Sequence, residues 1–478
     1  MKTINWSRTL LVGIVLLAVF LRSYHLDIDP PATYGDEISF AWNAWSILKT
    51  GADEYGKPYP LLFRAFDAYK APIPGYLLVP IFKVFGMSTL TLRLPVVFFG
   101  AATIIPVYFI AVQLLNRKVA LLSSLLFALS SWHIHLSRGY FEATIALFFM
   151  VSGLYFFISA RTSPRRLYWS ALFYVAGLYT YFTPRMSLLL FVPFSIWWAR
   201  DWIFKFKKQL VFFIILIVVL TLPLVKATFF DKGLSRMNRL TSDRNFQIIQ
   251  QVELDRNSVM SPGPIKNVFH NRYVYWMREV VYGWLEHFSI NFLYLYGDNS
   301  LRYFLGNMGM FYLYELPFLL IGLYVLASKY WKVLVLFAGW AVVMTLPAAS
   351  VGRPFAVRSL GMVPIPLIIA GVGIWLVCRT VSKRGIPGKI VIFFILVSLI
   401  ANVEYYVLRY HLEYPVYAAT WWGSENKAAI DLVQREKDNY DYIFISNFYT
   451  GMDLALAYYT NIDPVKYQYA KTNPITMV

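Results

Sequence analysis

The sequence predicts an all-α polytopic membrane protein with about 11 transmembrane helices, an interfacial first outer loop and a small α/β segment after the last helix. Three observations carry that reading. Of 478 residues, 58% are hydrophobic, 18% aromatic and only 15% charged, so polar surface is too scarce for a soluble chain. Apolar runs of near-membrane length recur along the chain. Lysine and arginine gather in alternate connections between those runs.

The runs fall near 9–24, 94–114, 119–136, 143–160, 167–183, 186–199, 209–226, 311–328, 332–348, 359–378 and 389–407. Lys2 and Arg8 precede the first. Alternate connections then carry Arg117/Lys118, Arg161/Arg165/Arg166, Arg200/Lys205/Lys207/Lys208, Lys329/Lys332 and Arg379/Lys383/Arg384/Lys389, against a single acid, Asp201. The positive-inside rule puts this set, and with it the N-terminus, in the cytoplasm of a multi-pass membrane protein. The net charge of +18 then faces the anionic inner leaflet, and no nucleic-acid partner is needed to explain it. The first run has no small-residue cleavage site after it, because Arg22-Ser-Tyr-His25 follows directly, so it reads as a retained anchor. Cys378 is the only cysteine, which excludes an intrachain disulfide or a thiolate metal cluster.

The stretch 71–87 is apolar but short, broken by Pro72, Pro74, Gly75 and Pro80, and carries Lys83. Counting it as a span would put nearly all the basic clusters outside. A helix lying in the outer interface is expected instead, with Ile73, Tyr76/Leu77, Pro80/Ile81 and Val84 toward lipid. The transmembrane domain covers 1–407, with a first outer loop at 25–92 and a larger outer segment at 227–310. The remainder, 408–478, is expected as an extracytoplasmic appendage: a helix over Ser424–Glu436, a strand over Tyr442–Ser446 and a helix over Met452–Tyr459.

That topology gathers ionisable groups at one leaflet surface. Asp36 and Glu37 stand in the first outer loop with Asp27, Asp29, Asp53, Glu54 and Asp67. Alone, the pair is no more than two solvated loop acids. Facing them are Lys70, His133, His135 and Arg138 with Glu142, Arg185 in Tyr181-Phe-Thr-Pro-Arg185, and Arg353 and Arg358. Ionisable groups at that depth are costly unless paired, solvated or functional. Arginines and lysines can neutralise a lipid phosphate, and a carboxylate can take a proton from an attacking hydroxyl or amine. Each base also reads as an interface anchor that snorkels to headgroups. His133 and His135 read as an interfacial polar pair before they read as metal ligands, so no metal or other cofactor is assigned.

Tyr34-Gly-Asp-Glu37, Tyr69-Lys-Ala-Pro-Ile-Pro-Gly-Tyr76, Phe85-Gly-Met-Ser-Thr-Leu-Thr-Leu-Arg-Leu-Pro95 and His133-Ile-His-Leu-Ser-Arg138 with Glu142 follow in order. The ordered set resembles the protein O-mannosyltransferase and lipid A aminoarabinose transferase superfamily, membrane glycosyltransferases of the GT-C fold. The resemblance covers roughly 8–200. Arg353-Pro-Phe-Ala-Val-Arg-Ser359 and Tyr414-Pro followed by Trp421-Trp-Gly423 are similar to bacterial members. It implies a polyprenyl-phosphate-linked sugar donor, transfer on the outer face of the plasma membrane, and Asp36 as catalytic base with Glu37 supporting it. Lys70 matches a family lysine near the donor phosphate, Arg138 matches the Ser-Arg position and is assigned with Lys70 to that phosphate, and Glu142 stands where relatives have a second acid. Arg185 and Arg358 are assigned to the donor phosphate by location alone. His133 and His135 are assigned supporting places. The segment after 407 does not resemble the trefoil domain of eukaryotic mannosyltransferases, so the acceptor stays open among lipid, glycan and protein. A polytopic transporter or lipid flippase is the competing reading. It predicts charges deep within spans and paired broken helices at the midplane.

Overall fold

The computed structural model describes residues 6–66, 68–230, 235–258, 260, 263–349, 353–446 and 451–472. Lys2 of the basic set and Asp67 of the first outer loop lie outside the described residues.

The first helix, α1 (Trp6–Ser23), ends at the buried Arg22. The first outer loop follows. In it α2 (Gly35–Thr50) starts where the extended Tyr34 donates its N–H to the Glu37 carboxylate at 3.3 Å, and it stops at Gly51, whose φ of 72° suits glycine. Strands β1 (Phe63–Ala65) and β2 (Ala68–Lys70) form an antiparallel hairpin that ends on Lys70. Next comes α3 (Pro72–Phe85), with Pro72 at its start. This is the helix expected at the interface. Pro74, Gly75, Leu78 and Phe82 are buried and Pro80 and Val84 exposed, but Ile73, Tyr76, Leu77 and Ile81 are only partly exposed. Leu77 and Ile81 pack on the core beneath and Tyr76 donates to the Pro60 carbonyl, so the expected outward face is only partly present. At 14 residues it is too short to span.

Helices α4 (Thr89–Ala102) and α5 (Ile104–Leu114) run almost continuously, and α6 (Arg117–Leu129) starts on the Asn116 side chain, which accepts the N–H groups of Lys118 and Val119. Ser130 breaks the next turn: its ψ is 118°, and its hydroxyl accepts the His133 N–H to start the short α7 (Ser131–Leu136). The break turns His133, His135 and Arg138 into the protein interior. Helices α8 (Glu142–Ser159), α9 (Arg166–Leu178), α10 (Phe182–Trp198), α11 (Arg200–Ile203) and α12 (Lys207–Phe229) follow.

The outer segment holds α13 (Ser235–Ser258), α14 (Gly263–Phe269) and α15 (Arg272–Glu286). Then come α16 (Glu315–Lys329), α17 (Trp331–Ala349), α18 (Pro364–Val381) and α19 (Ile386–Leu408). Among the described residues, seven helical stretches are long and apolar enough to cross a bilayer: Trp6–Ser23, Thr89–Leu114, Glu142–Ser159, Arg200–Phe229, Trp331–Ala349, Leu360–Arg384 and Ile386–Tyr417. The other four expected spans are helical but shorter: α6 with α7 after the Ser130 break, and α9, α10 and α16.

The C-terminal part contains α20 (Tyr414–Tyr417), α21 (Ser424–Glu436), α22 (Met452–Thr460) and α23 (Pro464–Thr472). The two longer helices expected here are present, but 442–446 is not a strand. It meets no strand edge, since the only sheet among the described residues is β1–β2. Nor does this part stand off as an appendage. Ile430, Met452, Leu454, Ala455, Tyr458 and Tyr467 share one apolar core with Ile38, Phe40, Trp42, Leu78 and Phe82 of the first outer loop. Gln468 adds hydrogen bonds to Ser46 Oγ (2.8 Å) and to the Asp53 carbonyl (2.8 Å).

Candidate active site

Asp36 occupies the first turn of α2, where the helix dipole favours a carboxylate. The hairpin delivers Lys70 to it. Lys70 Nζ lies 2.8 Å from Asp36 Oδ1 and 3.1 Å from the Asp36 carbonyl, and 4.4 Å from the centre of the Phe40 ring. The lysine side chain is 6% exposed and the aspartate side chain 36%, so the pair is rooted in protein while the carboxylate keeps an open face.

The adjacent acid is built in. Glu37 is fully buried. Its oxygens take Arg93 Nε (3.0 Å) and Nη2 (3.1 Å) as a two-point ion pair, the Tyr140 N–H (2.6 Å) and the Tyr34 N–H (3.3 Å). Arg93 also donates to the carbonyls of Leu26, Pro30 and Ala32. Glu37 therefore fixes the frame in which Asp36 sits rather than meeting substrate, because its acceptor sites are used up. Gly139 lets this frame close: a Cβ there would lie 2.7 Å from both Phe141 and Trp422.

Glu142 opens α8 beside that frame. Tyr34 feels the charges of Asp36 and Glu142, and burial first, then those charges, pushes its hydroxyl well above the usual tyrosine range. Tyr181 is within electrostatic reach of Arg358, Glu142 and Tyr303. Tyr34 and Tyr181 share the fields of Glu142 and Tyr303, so a strip of groups within electrostatic reach of one another, rather than in contact, runs from Asp36 to Arg358. From its Arg358 end an apolar cleft descends between α8, α10 and α17, lined by Ala143, Ala146, Leu147, Met150, Thr183, Pro184, Ser187, Met344, Val357 and Leu360.

Not every residue singled out in the sequence reaches the strip. Arg138 is buried and turned onto carbonyls of Leu21 (3.1 Å), Tyr24 (2.6 Å) and Asp29 (3.0 Å), where it closes the end of α1. Its hydrogen bonds go to protein, not to an open phosphate site. His133 Nδ1 meets Arg22 Nη2 at 2.9 Å, whereas His135 Nε2 meets the Arg302 carbonyl at 3.1 Å, so the two rings diverge to separate partners. Arg185 is half-buried and joined to the Leu178 carbonyl (3.1 Å) and Thr228 Oγ1 (3.3 Å), outside the lining of the cleft. Arg353 is exposed.

Other residues enter the site without having been singled out. Arg302 lies over the Tyr34 ring at 4.8 Å, held by Nε on the Trp421 carbonyl at 2.8 Å. Tyr303 packs on Phe355. Arg93 had a signal: a lone arginine within an apolar span must be paired. Arg302 had none beyond its place among the aromatic and basic residues of the outer segment.

Residues 69–223 match the family model described as dolichyl-phosphate-mannose-protein mannosyltransferase. No curated protein sequence matches the chain. Among solved structures, ArnT from Cupriavidus metallidurans bound to undecaprenyl phosphate superposes with a TM-score of 0.53 at 13% identity, covering 99% of this chain and 89% of that one. Two structures of the Archaeoglobus fulgidus oligosaccharyltransferase also superpose. AglB in complex with an inhibitory peptide and a dolichol-phosphate gives 0.54 at 11% identity, over 95% of this chain and 63% of that one. The form tethered with an acceptor peptide gives 0.56 at 11% identity, over 85% and 55%. The fold is GT-C. The chain spans only 56% of the length of the archaeal enzyme in its apo form. In this GT-C protein the family match takes in Lys70, Arg93, Arg138, Glu142 and Arg185 but neither Asp36 nor Arg358.

Proposed function

We propose that the protein is a membrane glycosyltransferase that moves a sugar from a polyprenyl-phosphate-linked donor to an acceptor on the outer face of the plasma membrane. One observation carries the reading: a partly open carboxylate, Asp36, pinned by Lys70, stands on the same polar strip as Arg358, at the head of an apolar cleft. In this reading the phosphate meets Arg358, the prenyl tail leaves along the apolar side chains of the cleft, which part to admit it, and the sugar lies toward Glu142 and Asp36.

In the reaction, Asp36 takes the proton of the acceptor hydroxyl or amine as that atom attacks the anomeric carbon. The bond from this carbon to the phosphate oxygen breaks, and polyprenyl phosphate leaves with the electron pair. A single displacement inverts the anomeric centre. Lys70 orients Asp36, and Arg358 offsets the charge that grows on the leaving phosphate. Glu37 with Arg93 holds the start of α2. Arg185 ties the Leu178 carbonyl to Thr228, Arg138 and His135 hold backbone carbonyls, and His133 holds Arg22. The acceptor is a lipid, glycan or protein presented at the membrane surface. The basic connections support an N-terminus in the cytoplasm and helices after residue 408 outside.

The test is a panel of radiolabelled polyprenyl-phosphate sugars offered to the purified protein in vesicles containing envelope lipids. Consumption of one donor with release of polyprenyl phosphate is expected. Downhill movement of lipid or sugar across the bilayer with every donor left intact would replace the enzyme by a transporter.

A further inference from the structure

Arg358 stands on an irregular stretch, 353–358, between α17 and α18. Backbone without helix or strand near a membrane must have its N–H groups satisfied by whatever packs on it. Here two consecutive N–H groups are accepted by side chains from the outer segment. Phe355 N–H donates to His287 Nε2 at 3.2 Å, and Ala356 N–H donates to Asp298 Oδ2 at 2.7 Å. Both acceptors are buried. His287 Nδ1 lies 2.6 Å from the Gly283 carbonyl, which can only accept, so Nδ1 carries the proton and Nε2 presents its lone pair. Burial lowers the imidazole to about 4, which keeps that lone pair available at neutral pH. The ring of Phe355 in turn lies under the Arg358 guanidinium at 5.0 Å.

We infer that His287 and Asp298 are positioning residues that clamp Phe355 and Ala356, fix the platform beneath Arg358, and so set how tightly the cleft takes a polyprenyl phosphate. This rests on the reading of Arg358 as a ligand of the donor phosphate. Neither residue meets the substrate. Each acts by holding a peptide N–H whose carbonyl neighbour, at Ala356, is fixed from the other side by Trp132 Nε1 at 3.1 Å.

The test uses the purified full chain and undecaprenyl phosphate as the probe, comparing Arg358→Ala, His287→Phe, His287→Gln and the double variant Arg358→Ala/His287→Phe. Phenylalanine keeps the ring volume and loses the acceptor, whereas glutamine returns an acceptor near the Nε2 position. His287→Phe is expected to weaken binding about tenfold, the scale of one lost net hydrogen bond, and to raise the donor KM by a similar factor. His287→Gln recovers most of that loss, and the double variant binds no more weakly than Arg358→Ala. Wild-type affinity in His287→Phe beside a weakened Arg358→Ala overturns the clamp, as does an undiminished His287→Phe effect in the Arg358→Ala background. Wild-type affinity in Arg358→Ala instead removes the donor-phosphate reading itself. Should His287→Phe not fold, Asp298→Asn carries the same comparison, since it turns one acceptor oxygen into a donor.

Discussion

Lys70 Nζ bonds both the carboxylate (2.8 Å) and the backbone carbonyl (3.1 Å) of Asp36. One cation therefore pairs with the proposed base and fixes its rotamer, and ties the β-hairpin to the start of α2. Lys70→Met should remove both effects and lower kcat by about a hundredfold, the size of losing one oriented charge at a reacting centre. Lys70→Arg should keep the charge but not the compact two-point contact, and fall between the two. Steady-state turnover of the donor measures both.

Glu37 and Arg93 form a buried ion pair, so removing one partner strands a charge. Glu37→Ala and Arg93→Ala should each cost about 3–5 kcal/mol of stability, and Glu37→Met/Arg93→Met should be less damaging than either single change. Thermal unfolding in detergent reads this directly. Equal stability in all three variants would contradict the assignment of Glu37 to the frame.

Glu54 gives a pH dependence of known sign. It is buried against Asn43 Nδ2 (3.0 Å), and burial raises its carboxyl from 4.5 to about 7. The folded state holds the proton more tightly than the unfolded state does. Stability from this group is thus complete below pH 4.5 and is lost as pH rises towards 7. Glu54→Gln should flatten that decline and raise the unfolding temperature at pH 8. A wild-type unfolding temperature that rises across pH 5–7 and is unchanged by the substitution would contradict this.

Gly139 lies where a Cβ would meet Trp422 and Phe141 at 2.7 Å, one residue from the Tyr140 N–H that binds Glu37. Gly139→Ala should displace this loop and reduce turnover, and Trp422→Leu in the same chain should restore part of it by making room. Donor turnover of the single and double variants decides it.

Much of this was legible in the sequence, for identifiable reasons. The bounds of α21 follow from residue spacing alone, and so does the existence of α3, because amphipathic periodicity is a local property. Asp36 and Lys70 could be placed at one leaflet surface from charge asymmetry, and the structure joins them. What local pattern could not carry was long-range satisfaction of polar groups. Arg138 reads as a free interfacial cation until Leu21, Tyr24 and Asp29 supply carbonyls from more than a hundred positions away. Residues 442–446 have strand-like composition but no partner edge. Trp422 was read as part of a motif, yet its burial beside Arg93, Tyr34 and Phe141 makes the last segment part of the site's foundation.

The most direct measurement is single-turnover transfer by Asp36→Asn, alongside its affinity for undecaprenyl phosphate. The account predicts transfer slowed by about 10²–10⁴-fold with binding of the lipid phosphate unchanged, because a base acts on the chemical step and not on the prenyl tail. Transfer within a few-fold of wild type would contradict it and move the reaction centre away from the first outer loop.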